Sequence, residues 1–409
     1  MIKKIILSAC LLISFISFAQ QGTASPYSFY GIGDAKFKGT LENRSMGGVS
    51  VEQDSIHLNI DNPSSYASLK LTTFTVGGTF ASSTLKTNDE SAKAQRTTFD
   101  YLAVGIPMGK FGAAFGLVPL STVGYKILND NSATEGATSS QFQGKGGVNK
   151  VFFGLGYKIK PNWNIGADVQ YNFGKITTTS IEAITGVQNS TSETNTSELS
   201  GVNFNIGTMY QAKITKKLNV YTSLSYTFAS TLNSNSTRVI SVSTDPDPIT
   251  VDPVDTNLKL PNKVTIGAGI GEARKWLVGT TMAFQGNGEF ANYYNTSEDV
   301  HYEKYAKYAI GGYYIPNYTS FSSYMSRITY RAGLKYEKVG LVINNESIKD
   351  VGMSLGAGVP IPGSLSNVNF GIEFGKRGTV SSGLVQENYF NFSLGFSFND
   401  RWFVKNKYN

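Results

Sequence analysis

The sequence predicts an all-β chain, a transmembrane antiparallel β-barrel of about 14 strands, from three observations. Apolar and polar residues alternate with a period of two along most of the chain. The connections between these runs are short and long by turns. The composition, with 25 Phe, 23 Tyr and 43 Gly in 409 residues, favours pleated, half-buried surfaces.

The N-terminus has the marks of an export signal. Lys3 and Lys4 form a basic start, Ile5 to Ser17 an apolar stretch, and Ser17-Phe18-Ala19 a cleavage site, so residues 1–19 are expected to be removed. A rival lipoprotein box at Leu7-Ser8-Ala9-Cys10 is weakened because only about five apolar residues precede Cys10. Cys10 is the only cysteine, so the exported chain holds no disulfide, thiol nucleophile or cysteine metal site. With Lys3 and Lys4 gone, 34 basic residues face 29 acidic ones, without the concentrated stripe of a nucleic-acid binder. Nothing after residue 20 is apolar for the eighteen residues a membrane helix needs.

Each wall element is then read from alternation. The clearest is 388–398, with Phe390, Phe392, Leu394, Phe396 and Phe398 on one face and Asn391, Ser393, Gly395 and Ser397 on the other. Residues 366–375 and 163–173 repeat it, and so do 202–212, 218–228, 264–270, 276–284 and 351–359. With a first strand at about 71–82, long polar loops fall near 83–95, 121–148, 176–199, 230–261, 286–304 and 376–388. Short turns fall at 107–110, 159–162, 213–217, 271–275 and 360–366. A sandwich gives no reason for every second connection to be short, whereas an outer-membrane barrel does. Two connections fit less neatly: 315–325 is of middle length, and Asn344-Asn345 is a tight hairpin where an outer loop is expected.

Trp163, Trp276 and Trp402 all map to the short-turn rim, as an interfacial belt would. Lys158, Lys160, Lys213, Lys216, Lys217, Arg274, Lys275, Arg401 and Lys405 crowd the same rim, against phospholipid headgroups or simply solvated. The expected location is the outer membrane of a Gram-negative bacterium, with its lipids as neighbours.

Ahead of the barrel stand "SPYSFYGIGD", "NRSMGGVSV" and "NPSSYASL". With the closing "YRAGLKY", "GIEFGKRGT" and "LGFSFNDRWFVK", they resemble the long-chain fatty acid transporter family (FadL/TodX), in its Bacteroidetes-type branch. The resemblance implies a hatch inside the lumen at residues 20–70, a barrel at 71–398 and a periplasmic tail at 399–409. It also implies a hatch motif at Asn62, Pro63 and Ser64, where the family usually has Ala in the third place. The added hydroxyl needs a partner. A fourteen-stranded barrel is too wide for its own side chains to fill, which gives a hatch a physical purpose. Tyr27, Phe29, Tyr30, Ile32, Met46, Val49, Val51, Ile56, Leu58 and Ile60 would form its core or line a cavity.

Several residues could carry chemistry. A strand at 326–336 would point Arg327, Arg331 and Lys335 inward, to meet an anionic head or to pair with Glu373, Asp168, Asp34, Asp54 or Asp61. Gly116 and Pro119 could break the third strand and open a lateral path, or mark its end. Aromatic residues crowd 289–325, where they could take a hydrophobic ligand, dock a protein or form a girdle. Ser55, His57 and Asp61 are the only local triad imaginable; neither an enzyme, a cofactor nor a metal is expected. Two functions are left: uptake of hydrophobic small molecules such as fatty acids, as the resemblance implies, or a non-transporting subunit of an outer-membrane machine for secretion or barrel assembly.

Overall fold

The computed structural model describes residues 22–244, 247–288 and 299–402. The export signal with Cys10, and Phe290, Tyr293, Tyr294 and Lys405, lie outside these residues. Fourteen antiparallel strands form a closed wall. In chain order they are β1 (Thr72–Lys86), β2 (Ser91–Met108), β3 (Phe111–Asn129), β4 (Thr138–Lys160) and β5 (Trp163–Ile184). Next come β6 (Ser190–Lys213), β7 (Leu218–Thr227), β8 (Lys263–Glu272), β9 (Trp276–Gln285) and β10 (Tyr305–Tyr314). The last are β11 (Thr329–Ile343), β12 (Glu346–Pro360), β13 (Asn367–Arg377) and β14 (Gln386–Asp400). β14 pairs with β1 from Gln386↔Lys86 to Asp400↔Thr72, which closes the cylinder.

The period-two pattern sets the two faces. Phe390, Phe392, Phe374, Leu334, Val278, Ile206 and Phe153 point out and are exposed, as side chains facing lipid must be. Asn164, Gln170, Asn172, Asn205, Asn369 and Ser397 point in and are buried. No described helix is long and apolar enough to cross a membrane. The wall satisfies its backbone groups by closure instead.

The strands run well beyond the expected ends. Segments 121–148 and 176–199 are mostly strand, because their Thr and Ser residues continue the ladders β4–β5 and β5–β6. Segment 230–261 is a hairpin, Ser230–Val242 with Ile249–Leu260, laid against the outer half of β6. The wall therefore stands tall from β4 to β8, with 22 to 24 residues per strand in β4 to β6 and the hairpin carrying β7 and β8 upward, against 10 in β9 and β10. Asn344 and Asn345 both have positive φ, 50° and 63°, which fits a two-residue hairpin turn of the primed kind. The middle-length connection 315–328 ends in a 3-10 turn, Met325–Arg327.

Residues 22–71 fill the lumen. They begin at the outer mouth, where the Tyr27 hydroxyl donates to the Val385 carbonyl between β13 and β14. They descend through a short helix, Leu41–Arg44, and a 3-10 helix, Pro63–Ser68, and enter β1 at the opposite rim. Met46, Val49 and Val51 pack against Tyr221, Leu277 and Ala309 of the wall. Leu41, Leu58, Ile60 and Tyr66 pack against Tyr101, Ala103, Ala114 and Phe152.

Candidate functional site

The motif at Asn62 ties the plug to the wall. Asn62 caps the 3-10 helix: its Oδ1 accepts from the Ser64 N–H (3.1 Å) and the Ser64 Oγ–H (2.7 Å). The hydroxyl that departs from the family triplet thus has its partner within the motif. The Asn62 Nδ2 donates outward to the carbonyls of Thr208 (3.3 Å) in β6 and Leu224 (3.1 Å) in β7. Pro63 needs no N–H donor at the first helical position. The wall meets this helix with glycine. A Cβ on Gly207 would collide with Asn62 Oδ1, and one on Gly112 with the Tyr66 carbonyl. The backbone of the plug rests directly on the backbone of the wall.

The inward cations form a different set from the one expected. Arg327 is not on a strand; it sits in the 3-10 turn before β11, with its guanidinium 5.0 Å from the Tyr324 ring centre. Arg331 and Lys335 do point inward on β11. Arg331 donates to Asn369 (3.0 Å), which in turn donates to Glu42 of the plug (3.0 Å). Lys335 lies 2.6 Å from Glu373 and 3.6 Å from Asp350. The same carboxylates hold two cations that sequence reasoning missed. Arg44 of the plug binds Glu373 (3.0 Å) and Asp100 (3.2 Å), and Arg377 of β13 binds Asp350 (3.2 Å) and Asp34 (2.6 Å) of the plug. Alternation along β12 and β13 carries the signal for Asp350 and Arg377; nothing local marks Arg44. Burial would raise the Asp34 carboxyl, but Arg377 and Lys36 beside it hold it below the usual range.

Nearer the opposite rim, Glu52, Asp54 and His57 make a second cluster. His57 Nδ1 meets Asp54 at 2.7 Å and Nε2 meets Asn367 at 3.4 Å, so both ring nitrogens are taken and neither is spent on Ser55 or Asp61. Burial, with the charge of Asp54, pushes Glu52 up to about 7, while the Tyr313 hydroxyl donates to it at 3.0 Å. Burial opposes the charge on Asp54, but His57 holds it down at about 2, and Asp54 in turn raises His57.

β3 itself runs on through Pro119; what breaks there is its pairing. The β2–β3 ladder stops at Leu102↔Leu117, and the β3–β4 register shifts between Pro119 and Ser121. Gly116 lies inside the paired stretch, opposite Ala103 and Phe152. The edge of β3 freed above the break is covered from within. Asp34 and Ala35 of the plug pair with Thr122 and Ser121, and the Lys36 N–H donates to the Leu120 carbonyl at 3.0 Å.

Above the plug lies a cavity of about 410 Å³. Nine Lys and Arg and eight Asp and Glu line it, together with Tyr27, Tyr30, Ile32 and Phe37, so charged groups are set among apolar surface. Trp163 and Trp276 open β5 and β9, and Trp402 follows β14, all at the short-turn rim. Of the aromatic segment, Tyr302 and Tyr305 line the cavity, while Phe321 is fully exposed in the 315–328 turn.

Comparison with solved structures gives the same architecture. The Pseudomonas putida toluene transporter TodX aligns with a TM-score of 0.59 at 15% identity, over 89% of this chain and 99% of its own. A Pseudomonas aeruginosa FadL homologue aligns with a TM-score of 0.59 at 11% identity, over 90% of this chain and 99% of its own. At such identities the likeness is one of fold: a fourteen-stranded outer-membrane barrel. No curated protein matches the sequence. A family model described as BamG, distinct from FadL/TodX, matches residues 1–409, the full length of the sequence. The match covers plug and wall together, and the chain belongs to the BamG family.

Proposed function

We propose that this protein is a non-transporting accessory subunit of an outer-membrane protein machine, of the kind that assembles barrels. The observation that carries this reading is the lumen. Its cavity is lined by charge, and the plug beneath it is joined to the wall by ion pairs through Arg44, Arg377 and Asp34 and by backbone-to-backbone contact at Gly112. An apolar molecule would have to strip water from those charges to pass. The BamG name of the family supports the same reading. The test is purification of the native protein in mild detergent, followed by mass spectrometry. Stoichiometric subunits of an assembly machine without bound fatty acid are expected; co-purified fatty acid without protein partners overturns the proposal.

Uptake of hydrophobic small molecules such as fatty acids is the second reading. The break in the wall at Pro119 favours it, together with the fold shared with TodX and the FadL homologue. In this reading Arg331 and Lys335 meet an anionic head, Arg327 lies outside the path, and the gap beside Pro119 is the exit once Asp34 and Ala35 let go. The Bacteroidetes-type origin read from the closing motifs belongs to both proposals.

A further inference from the structure

The cavity above the plug has two unlike halves. On one side Arg44, Lys335 and Arg377 are each held by carboxylates. On the other, Lys38 of the plug, Lys150 of β4 and Lys263 of β8 face the cavity and make no salt bridge among the described residues. Lys150 is only 6% exposed, and its ammonium finds no hydrogen-bond acceptor among the described residues. Lys38 and Lys263 lie close enough to oppose its charge. Asp168 and Asp61 attract it only from beyond salt-bridge distance, and Asp168 is already bound by the side chains of Gln170 and Asn205. Lys263 rests against the face of Tyr305, 5.4 Å from the ring centre. A buried ammonium without a partner is strongly unfavourable, and two neighbours of like sign make it worse. Such a group keeps its charge only when something entering the cavity supplies the missing negative charge.

We propose that Lys38, Lys150 and Lys263 form a binding site for a phosphate group, either free or carried by a lipid headgroup. The choice of phosphate over carboxylate follows from the donors. A carboxylate offers two oxygens in one plane and is best matched by the fork of an arginine. Arg44 and Arg377 of this cavity are already committed to acids. Three ammoniums arriving from three separate elements act as point charges without a preferred plane. A tetrahedral phosphate presents oxygens in several directions and can meet all three. The site stands apart from the accessory-subunit reading, since it needs neither a protein partner nor passage through the barrel.

Calorimetric titration of the full-length protein in detergent tests it, with inorganic phosphate, dihexanoyl phosphatidic acid and hexanoate as probes. One of the phosphate-bearing probes should bind at least about tenfold more tightly than hexanoate, and Lys150→Met or Lys263→Met should each weaken it about tenfold. Phosphatidic acid well ahead of inorganic phosphate identifies a lipid headgroup; equal affinities identify the free anion. Hexanoate binding as tightly as either overturns the proposal, and so do unchanged affinity in Lys150→Met or no binding of any probe. Lys150→Met removes an unpaired buried charge, so it should fold and resist heat better than the parent when no anion is present. Should it fail to fold, the partly exposed Lys263→Met variant decides.

Discussion

Asn62 spends one side chain on four hydrogen bonds: two within the plug, through Ser64, and two to the carbonyls of β6 and β7. Replacing it with Ala removes a helix cap and strands two buried polar partners. The Asn62→Ala variant should lose about 2 kcal/mol, read as a lower urea midpoint for the heat-modifiable band. Ser64→Ala, by contrast, deletes a hydroxyl that answers only Asn62, and a midpoint within about 0.5 kcal/mol of the parent is expected. Glu373 is a heavier case. Its carboxylate holds Arg44 and Lys335 at once, so Glu373→Leu leaves two cations facing each other and should cost about 3 kcal/mol or more. Adding Lys335→Met to Glu373→Leu should restore part of that loss. No restoration would mean that packing, and not charge, is what Glu373 contributes.

At the scale of elements, the plug corner at residues 52–57 carries a pH response whose direction is fixed. Glu52 holds its proton more firmly when folded, so its contribution declines as pH climbs from the usual carboxylate range to about 7. The charged form of His57 is favoured by Asp54, so that contribution is full below the ordinary histidine value and fades as pH rises through the raised one. Asp54 acts in the opposite sense, contributing above the ordinary carboxylate value and failing only as pH falls towards about 2. The corner should therefore be tightest near pH 5 and looser at pH 8. Hydrogen exchange at residues 52–57, corrected for intrinsic rates, measures it. Glu52→Gln should remove most of the difference between the two pH values; an unchanged difference would assign it to another group. These elements also differ in how legible they are. Wall strands declare themselves because period two is a local property: Phe390 to Phe398 needs no knowledge of its neighbours. The outer halves of β5 and β6 do not, since Thr177, Thr179 and Ser192 read as loop until each has a partner strand to pair with. Arg44 was illegible for the same reason, as its carboxylates are set by the path of a plug with little regular structure.

The whole molecule is a plugged cylinder. Plug and wall share ion pairs at mid-height and backbone contact around Asn62, and the gap beside Pro119 is covered by Asp34 and Ala35. Protein reconstituted into a planar bilayer should therefore show no stepwise conductance at moderate voltage. Regular open steps from the intact chain would mean that the plug leaves the lumen without help. Closing the ladder between β14 and β1 removes the two terminal edges of the sheet, and the largest differences around the wall lie outside the hydrocarbon layer.

There, height is the dominant asymmetry. At roughly 3.3 Å per residue, the 24 residues of β6 trace about 80 Å along the strand, while the 10 of β9 trace about 33 Å. Seen from outside the cell, the protein is a palisade from β4 to β8, and the strands are shorter at β9 and β10 among the described residues. A large neighbour lying over the membrane meets that palisade along the flank of β4 to β8. The lopsided wall therefore gives the molecule a compass bearing in the membrane plane, with one flank screened from any protein that lies low beside the mouth.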